Sequence, residues 1–241
     1  QTGTVLQKVS TEAFGSGVKI AYATTGDYTL TFADGRTSTL SPSSNPQPAG
    51  SYFVPFQGDQ PYAGQTFQLT IPSINGVKLS YTALGTWQDT FDSYRQEELA
   101  VTGIPTVASD IPHNGSASYT SAVGGLAYIL SQSNGGFLGN VTAMVEQKLS
   151  SQSSATFSAD FGAGTVATNL HLIGTSGDLG SFSGTGTIAA NSPGFTGTFA
   201  NTTASSFSGA FFGPQASEMA YGWYLSTASM TAIGTAWGKK N

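Results

Sequence analysis

The stretch FSGAFFGPQASEMAYGW, residues 207–223, constrains the fold more than any other. Phe207, Gly209 and Phe211 alternate large and small before a Gly213-Pro214 break, and Met219, Tyr221, Trp223 and Leu225 continue after it. A period of two is a strand's period; a helix would scatter these residues around its axis. Proline cannot donate to a ladder and glycine accepts the bend, so the chain turns at residues 213–214. The alternation returns in Phe182, Gly184, Gly186 and Ile188, and in Phe195, Gly197 and Phe199. Ser183, Thr185, Thr187, Thr196 and Thr198 face the other way. Small residues between large ones suit a tight barrel interior. Outward hydroxyl rows predict a soluble barrel, because a membrane-spanning one must show lipid an apolar face.

Composition narrows the function. Of 241 residues only 9% are charged, against roughly 25% in ordinary globular chains, so Ser, Thr, Asn and Gln must supply the polar surface. A net charge of −5 argues against nucleic acid, which needs a basic face, and against a polybasic membrane anchor. The absence of cysteine excludes disulfides, a thiolate zinc site and a cysteine nucleophile. No apolar run approaches the roughly 18 residues of a membrane helix. The chain opens QTGTV, with neither Met nor signal peptide, as after cleavage of a secretion signal or after simple trimming.

Construction changes along the chain. Eight of the ten prolines lie at or before Pro112, and 20 of the 31 glycines lie after Asn114. Two domains follow, residues 1–105 and 106–241. In the first, strands are expected near 4–9, 18–23, 28–32, 65–71 and 77–86, with turns at Asp34-Gly35 and Asn75-Gly76. A short helix is expected about 91–99. Residues 41–62 read as a Pro/Ser-rich loop, the most mobile part of this first domain, carrying Tyr52, Phe53, Phe56 and Tyr62. In the second, turn signals recur every 8–12 residues, as in sandwiches and barrels.

Three fragments resemble the transferrin-binding protein B-like β-barrel family of Slam-dependent surface and secreted proteins. Gly213, Pro214, Ala216 and Glu218 fill the places of its Gly-Pro-x-Ala-x-Glu corner. The run from Asp110 to Tyr119 is similar to its entry strand, and the run from Ser158 to Gly164 to its mid-barrel Asp-Phe hairpin. The fragments lie within residues 105–241. The resemblance implies an all-β fold: a small N-terminal β-rich handle domain followed by a soluble, eight-stranded antiparallel β-barrel. It also implies a place at the surface of a Gram-negative bacterium or secreted from it, although no cysteine is present for the usual lipid anchor.

Enzymatic motifs do not emerge. Gly180-Ser-Phe-Ser-Gly184 puts Phe182 where a nucleophile elbow needs serine. Gly162-Ala-Gly164 has no helix after it, so a phosphate cradle fails. The chain reads as a binding protein, not an enzyme. His113 and His171 are its only imidazoles, hence its best nitrogen ligands for a transition metal or haem iron. His171 falls on the outer face of its strand, whereas His113 sits in a turn between the domains. Two readings of His113 stand. One is a turn histidine bonded to a nearby carbonyl. The other follows from resemblance to hemophilins, secreted haem-carrying members of the group: His113 as the metal ligand of haem, walled by Tyr52, Phe53, Phe56 and Tyr62, with Arg36 or Lys78 at a propionate.

On that reading the chain is a monomeric hemophore exported through a Slam-type translocator. It would deliver haem to a TonB-dependent outer-membrane receptor, without inserting into the membrane. The alternative is a surface protein that docks a host protein, of the transferrin-binding or complement-factor-binding type.

Overall fold

Alternation of buried and exposed residues, strand after strand, sets the architecture. The computed structural model describes residues 10–42, 51–53, 64–91, 94–134 and 140–241. Their regular structure is antiparallel strand, apart from single 3-10 turns such as Ala108–Asp110 and Pro214–Ala216.

The first sheet comprises β1 (Lys19–Tyr22), β2 (Tyr28–Thr31), β3 (Thr37–Pro42), β4 (Ser51–Phe53), β5 (Gly64–Thr70), β8 (Thr82–Phe91) and β9 (Tyr94–Gly103). They lie side by side in that order, and a separate small hairpin, β6 (Ser73–Ile74) with β7 (Val77–Lys78), follows β5. Both expected glycine turns are present: Gly35 donates its N–H to the Phe32 carbonyl at 2.9 Å, and Asn75-Gly76 links β6 to β7. Leu30, Phe32, Leu40, Phe67 and Trp87 form the core of this sheet.

Three expectations need correction. The helix about 91–99 is a strand: β9 pairs with β8 from Thr82↔Gly103 to Phe91↔Tyr94. That ladder outweighs the weak helical preference of the Arg-Gln-Glu-Glu-Leu-Ala run. The long loop is interrupted, because Ser51–Phe53 pairs with both β3 and β5. The strand expected over 77–86 is broken in two, since Leu79 donates back to the Pro72 carbonyl before β8 begins. The strand expected at 4–9 lies outside the described residues.

The second sheet closes on itself. Its strands are β10 (Ser116–Asn134), β11 (Asn140–Lys148), β12 (Ser154–Asp160), β13 (Thr165–Gly174), β14 (Gly177–Ile188), β15 (Gly194–Phe199), β16 (Ala204–Phe212), β17 (Glu218–Ser226) and β18 (Met230–Lys240). Eight of them form a barrel in the order β10-β12-β13-β14-β15-β16-β17-β18, and β18 returns to pair with β10 from Tyr119↔Lys240 to Ile129↔Met230. The ninth, β11, pairs with the far half of β10 as an extra hairpin arm.

Aromatic rings fill the barrel. Phe157, Phe195, Phe207, Phe211 and Tyr221 meet at centroid distances of 5.1–6.5 Å. The alternating glycines make the room: a Cβ on Gly197 would lie 2.3 Å from Cζ of Phe207, and one on Gly184 would lie 2.9 Å from the Phe199 ring. The outer positions of β12 to β15 are exposed Ser and Thr, as in Ser158, Thr165, Thr185, Thr187 and Thr196. Between Lys148 and Lys239 the chain has no lysine or arginine. This wall is mainly hydroxyl, its charges being carboxylates such as the exposed Asp160 and Asp178, and among the described residues it carries no apolar belt for lipid.

Candidate functional site

The described residues do not make a haem pocket around His113. Its imidazole is exposed, on a bend between the two sheets, beside the turn that joins β12 to β13. Among the described residues it has no hydrogen-bond or ion-pair partner, and no three metal-ligating side chains come together. Tyr52 and Phe53 lie in β4, inside the first sheet, where they pair with Phe67 and Thr66. Phe56 and Tyr62 fall outside the described residues. A haem needs apolar walls on both faces, and an exposed bend supplies one ligand without them.

The two cations named for a propionate are also placed elsewhere. Arg36 donates from Nε to Asp34 Oδ2 at 2.6 Å and reaches Glu98 at 3.7 Å. Its guanidinium lies over Phe32 at 5.0 Å and over Trp87 at 5.9 Å. This holds the Asp34 carboxyl below its ordinary range, chiefly through the Arg36 side-chain bond. Burial pushes Glu98 the other way, against the pull of Arg36. Lys78 sits on β7, in the separate hairpin. His171 takes the outer face of β13 and meets Asp178 at 3.2 Å. The Gly180 N–H and His171 together lower the Asp178 carboxyl.

What the structure does build is a packed, hydrogen-bonded join between sheet and barrel. Ala210, Phe212 and Ala220 face outward from the barrel wall, yet all three are buried, under Phe14, Tyr81, Leu84 and Val101, with Trp237 alongside. Phe14 meets Phe212 edge to face at 6.0 Å. Around this apolar contact runs a ring of hydrogen bonds. Thr106 Oγ1 donates to the Gly213 carbonyl at 2.6 Å, and Gly213 N–H donates to the Ile104 carbonyl at 2.9 Å. Trp237 Nε1 donates to the Ser73 carbonyl at 3.1 Å. Gly213 has φ +69, and a Cβ there would lie 2.4 Å from the Tyr81 ring, so only glycine fits this corner.

Glu218 is the centre of the join. It is 3% exposed. Its Oε1 accepts the Ser80 N–H at 2.7 Å, while Oε2 accepts the Tyr81 N–H at 3.0 Å and the Thr82 hydroxyl at 2.9 Å. All three donors belong to the first sheet or the segment leading into it; the acceptor belongs to the barrel. Sequence reasoning placed Glu218 in the corner motif but missed this partner. The available signal was a carboxylate on the outer side of an otherwise apolar strand, which buries only when donors meet it.

The site therefore has a filled barrel and a sheet packed on its wall. Tyr22, on the edge strand β1, is 65% exposed and leans on Tyr28 at 4.9 Å. Among the described residues, the barrel interior is filled by side chains and the remaining surface is exterior.

A family model described as the C-lobe and N-lobe β-barrels of Tf-binding protein B matches residues 111–240. Solved structures similar to the chain include a double mutant of transferrin-binding protein B from Haemophilus parasuis. There the identity is 18% and the TM-score 0.49, over 88% of this chain and 40% of that one. The isotype 1 protein from serogroup B Neisseria meningitidis gives 18% and 0.48, over 88% and 39%. The N-lobe domain of lactoferrin-binding protein B of Moraxella bovis gives 17% and 0.38, over 93% and 98%. The chain thus spans about two fifths of the length of the first two. A comparison with curated sequences gave no match.

Proposed function

Because the chain belongs to the family of transferrin-binding protein B β-barrels, matched over residues 111–240, we propose that it is a bacterial surface protein that captures a host protein on its exterior. It binds and does no chemistry. The observation that carries this reading is the packed interior: Phe157, Phe195, Phe207, Phe211 and Tyr221 occupy the space in which an open barrel would hold a small ligand. Recognition then falls to the outside, where a protein-sized partner finds enough area. Transferrin and lactoferrin, after which the similar proteins are named, are the first candidates.

The test immobilises the chain and measures binding of a panel of mammalian transferrins and lactoferrins, beside a haemin titration. Saturable binding of one panel member, weakened by Tyr52→Ala or Phe56→Ala, supports the proposal, since aromatic anchors dominate interface energies. Silence across the panel, together with a haemin Soret shift lost in His113→Ala, would replace it with the hemophore reading and its TonB-dependent receptor.

A further inference from the structure

We infer that Glu218 is a positioning residue: a latch that sets the attitude of the handle sheet on the barrel. The geometry is specific. A carboxylate at the start of β17 is buried among three donors from three consecutive residues, Ser80, Tyr81 and Thr82. Two of those donors are backbone N–H groups just before β8, so the latch grips the main chain where the strand begins. Charge-assisted bonds of this kind are about twice as strong as neutral ones.

Apart from Asp110 Oδ2, which accepts the Gln215 N–H at 2.7 Å from the linker rather than from the sheet, the rest of the join is apolar or made of neutral hydrogen bonds. Apolar contact holds two surfaces together but lets them slide, since burial is non-directional. Three convergent donors fix an angle. β8 leads straight from the latch into the ladder it shares with β9 and β5, so the angle is transmitted to the far edge of the sheet. That this orientation matters for capture rests on the host-protein reading; the latch itself does not, and it is tested without any partner.

The experiment is amide hydrogen exchange on the full chain and on Glu218→Gln. The variant keeps the shape but turns an NH₂ toward donors that need an acceptor. The expected result is exchange at the Ser80 and Tyr81 amides faster by roughly tenfold or more, with Phe157 and Tyr221 in the barrel unchanged. A spin-label pair at Thr39→Cys and Thr185→Cys, placed in a chain that has no other cysteine, should report a broadened handle-to-barrel distance in the same variant. Unchanged exchange at Ser80 and Tyr81 overturns the latch. Equal acceleration in the barrel also overturns it, because Glu218 then acts only on global stability. If Glu218→Gln does not fold, Thr82→Val, which deletes one of the three donors, takes the same test with the same expected direction. A failed transferrin panel with an intact latch result leaves this inference standing and removes only the partner.

Discussion

The Tyr221 hydroxyl lies 2.6 Å from Thr168 Oγ1, with both side chains buried inside the barrel. Thr168 also donates to the Thr156 carbonyl at 2.8 Å, so its one proton is committed and Tyr221 is the donor of the pair. Burial raises the Tyr221 phenol well above its usual value, which keeps the proton on it throughout the working range. The two substitutions are therefore unequal. Thr168→Val leaves a buried hydroxyl without acceptor and should cost ~2 kcal/mol, whereas Tyr221→Phe leaves Thr168 bonded and should cost ~1 kcal/mol. Urea unfolding of both variants measures the difference, and an equal or reversed order would refute the donor assignment.

A pair of glycines on neighbouring strands should respond unequally to alanine. A Cβ on Gly209 would sit 2.1 Å from the Ala220 carbonyl oxygen, a backbone atom that cannot swing aside. Gly222 has nothing within 4 Å of its notional Cβ. Gly209→Ala should destabilise by about 3 kcal/mol, at the upper end of overpacking costs. Gly222→Ala should stay within ~0.5 kcal/mol. Thermal melts of the two variants decide the matter.

Arg36 links two carboxyls with opposite shifts. Its removal in Arg36→Ala should raise the Asp34 midpoint toward the ordinary aspartate value and push Glu98 further up, because Arg36 lowers both. The stability signs differ. The depressed Asp34 contributes stability above its unfolded value, and that is lost as pH falls through its folded value. The raised Glu98 behaves in reverse: the folded state keeps its proton longer, so stability falls as pH rises through the folded value. Exposure keeps the Asp34 contribution small. Carboxylate NMR titration of the wild type and variant reads both shifts, and a rise at only one site would contradict the shared-cation geometry.

His113 should be separable from folding. Exposed and without a described partner, it should tolerate His113→Ala within ~0.5 kcal/mol in urea unfolding. A larger loss would mean that the imidazole supports the junction. With stability unchanged, any effect on haemin binding reports the ligand alone.

The barrel was legible in the sequence because its information is local. Phe195, Gly197 and Phe199 declare strand period and interior face by their own alternation, and a slip of one residue would turn every ring into water. Asp34-Gly35 and Asn75-Gly76 declare their turns for a similar reason, since few residues accept the backbone angles of such tight turns. Where local preference and tertiary pairing disagreed, the sequence misled: residues 94–103 carry a helical composition, and only the neighbouring β8 ladder makes them a strand. The same limit applied to the site. That Glu218 would be acidic and near a corner was visible; that its donors lie at Ser80, Tyr81 and Thr82, more than 130 residues earlier, was not. No periodicity encodes which wall of a closed barrel a separate sheet will cover. That choice is made when Ala210, Phe212 and Ala220 are buried together, and a buried carboxylate is tolerated only once the fold has brought it three donors.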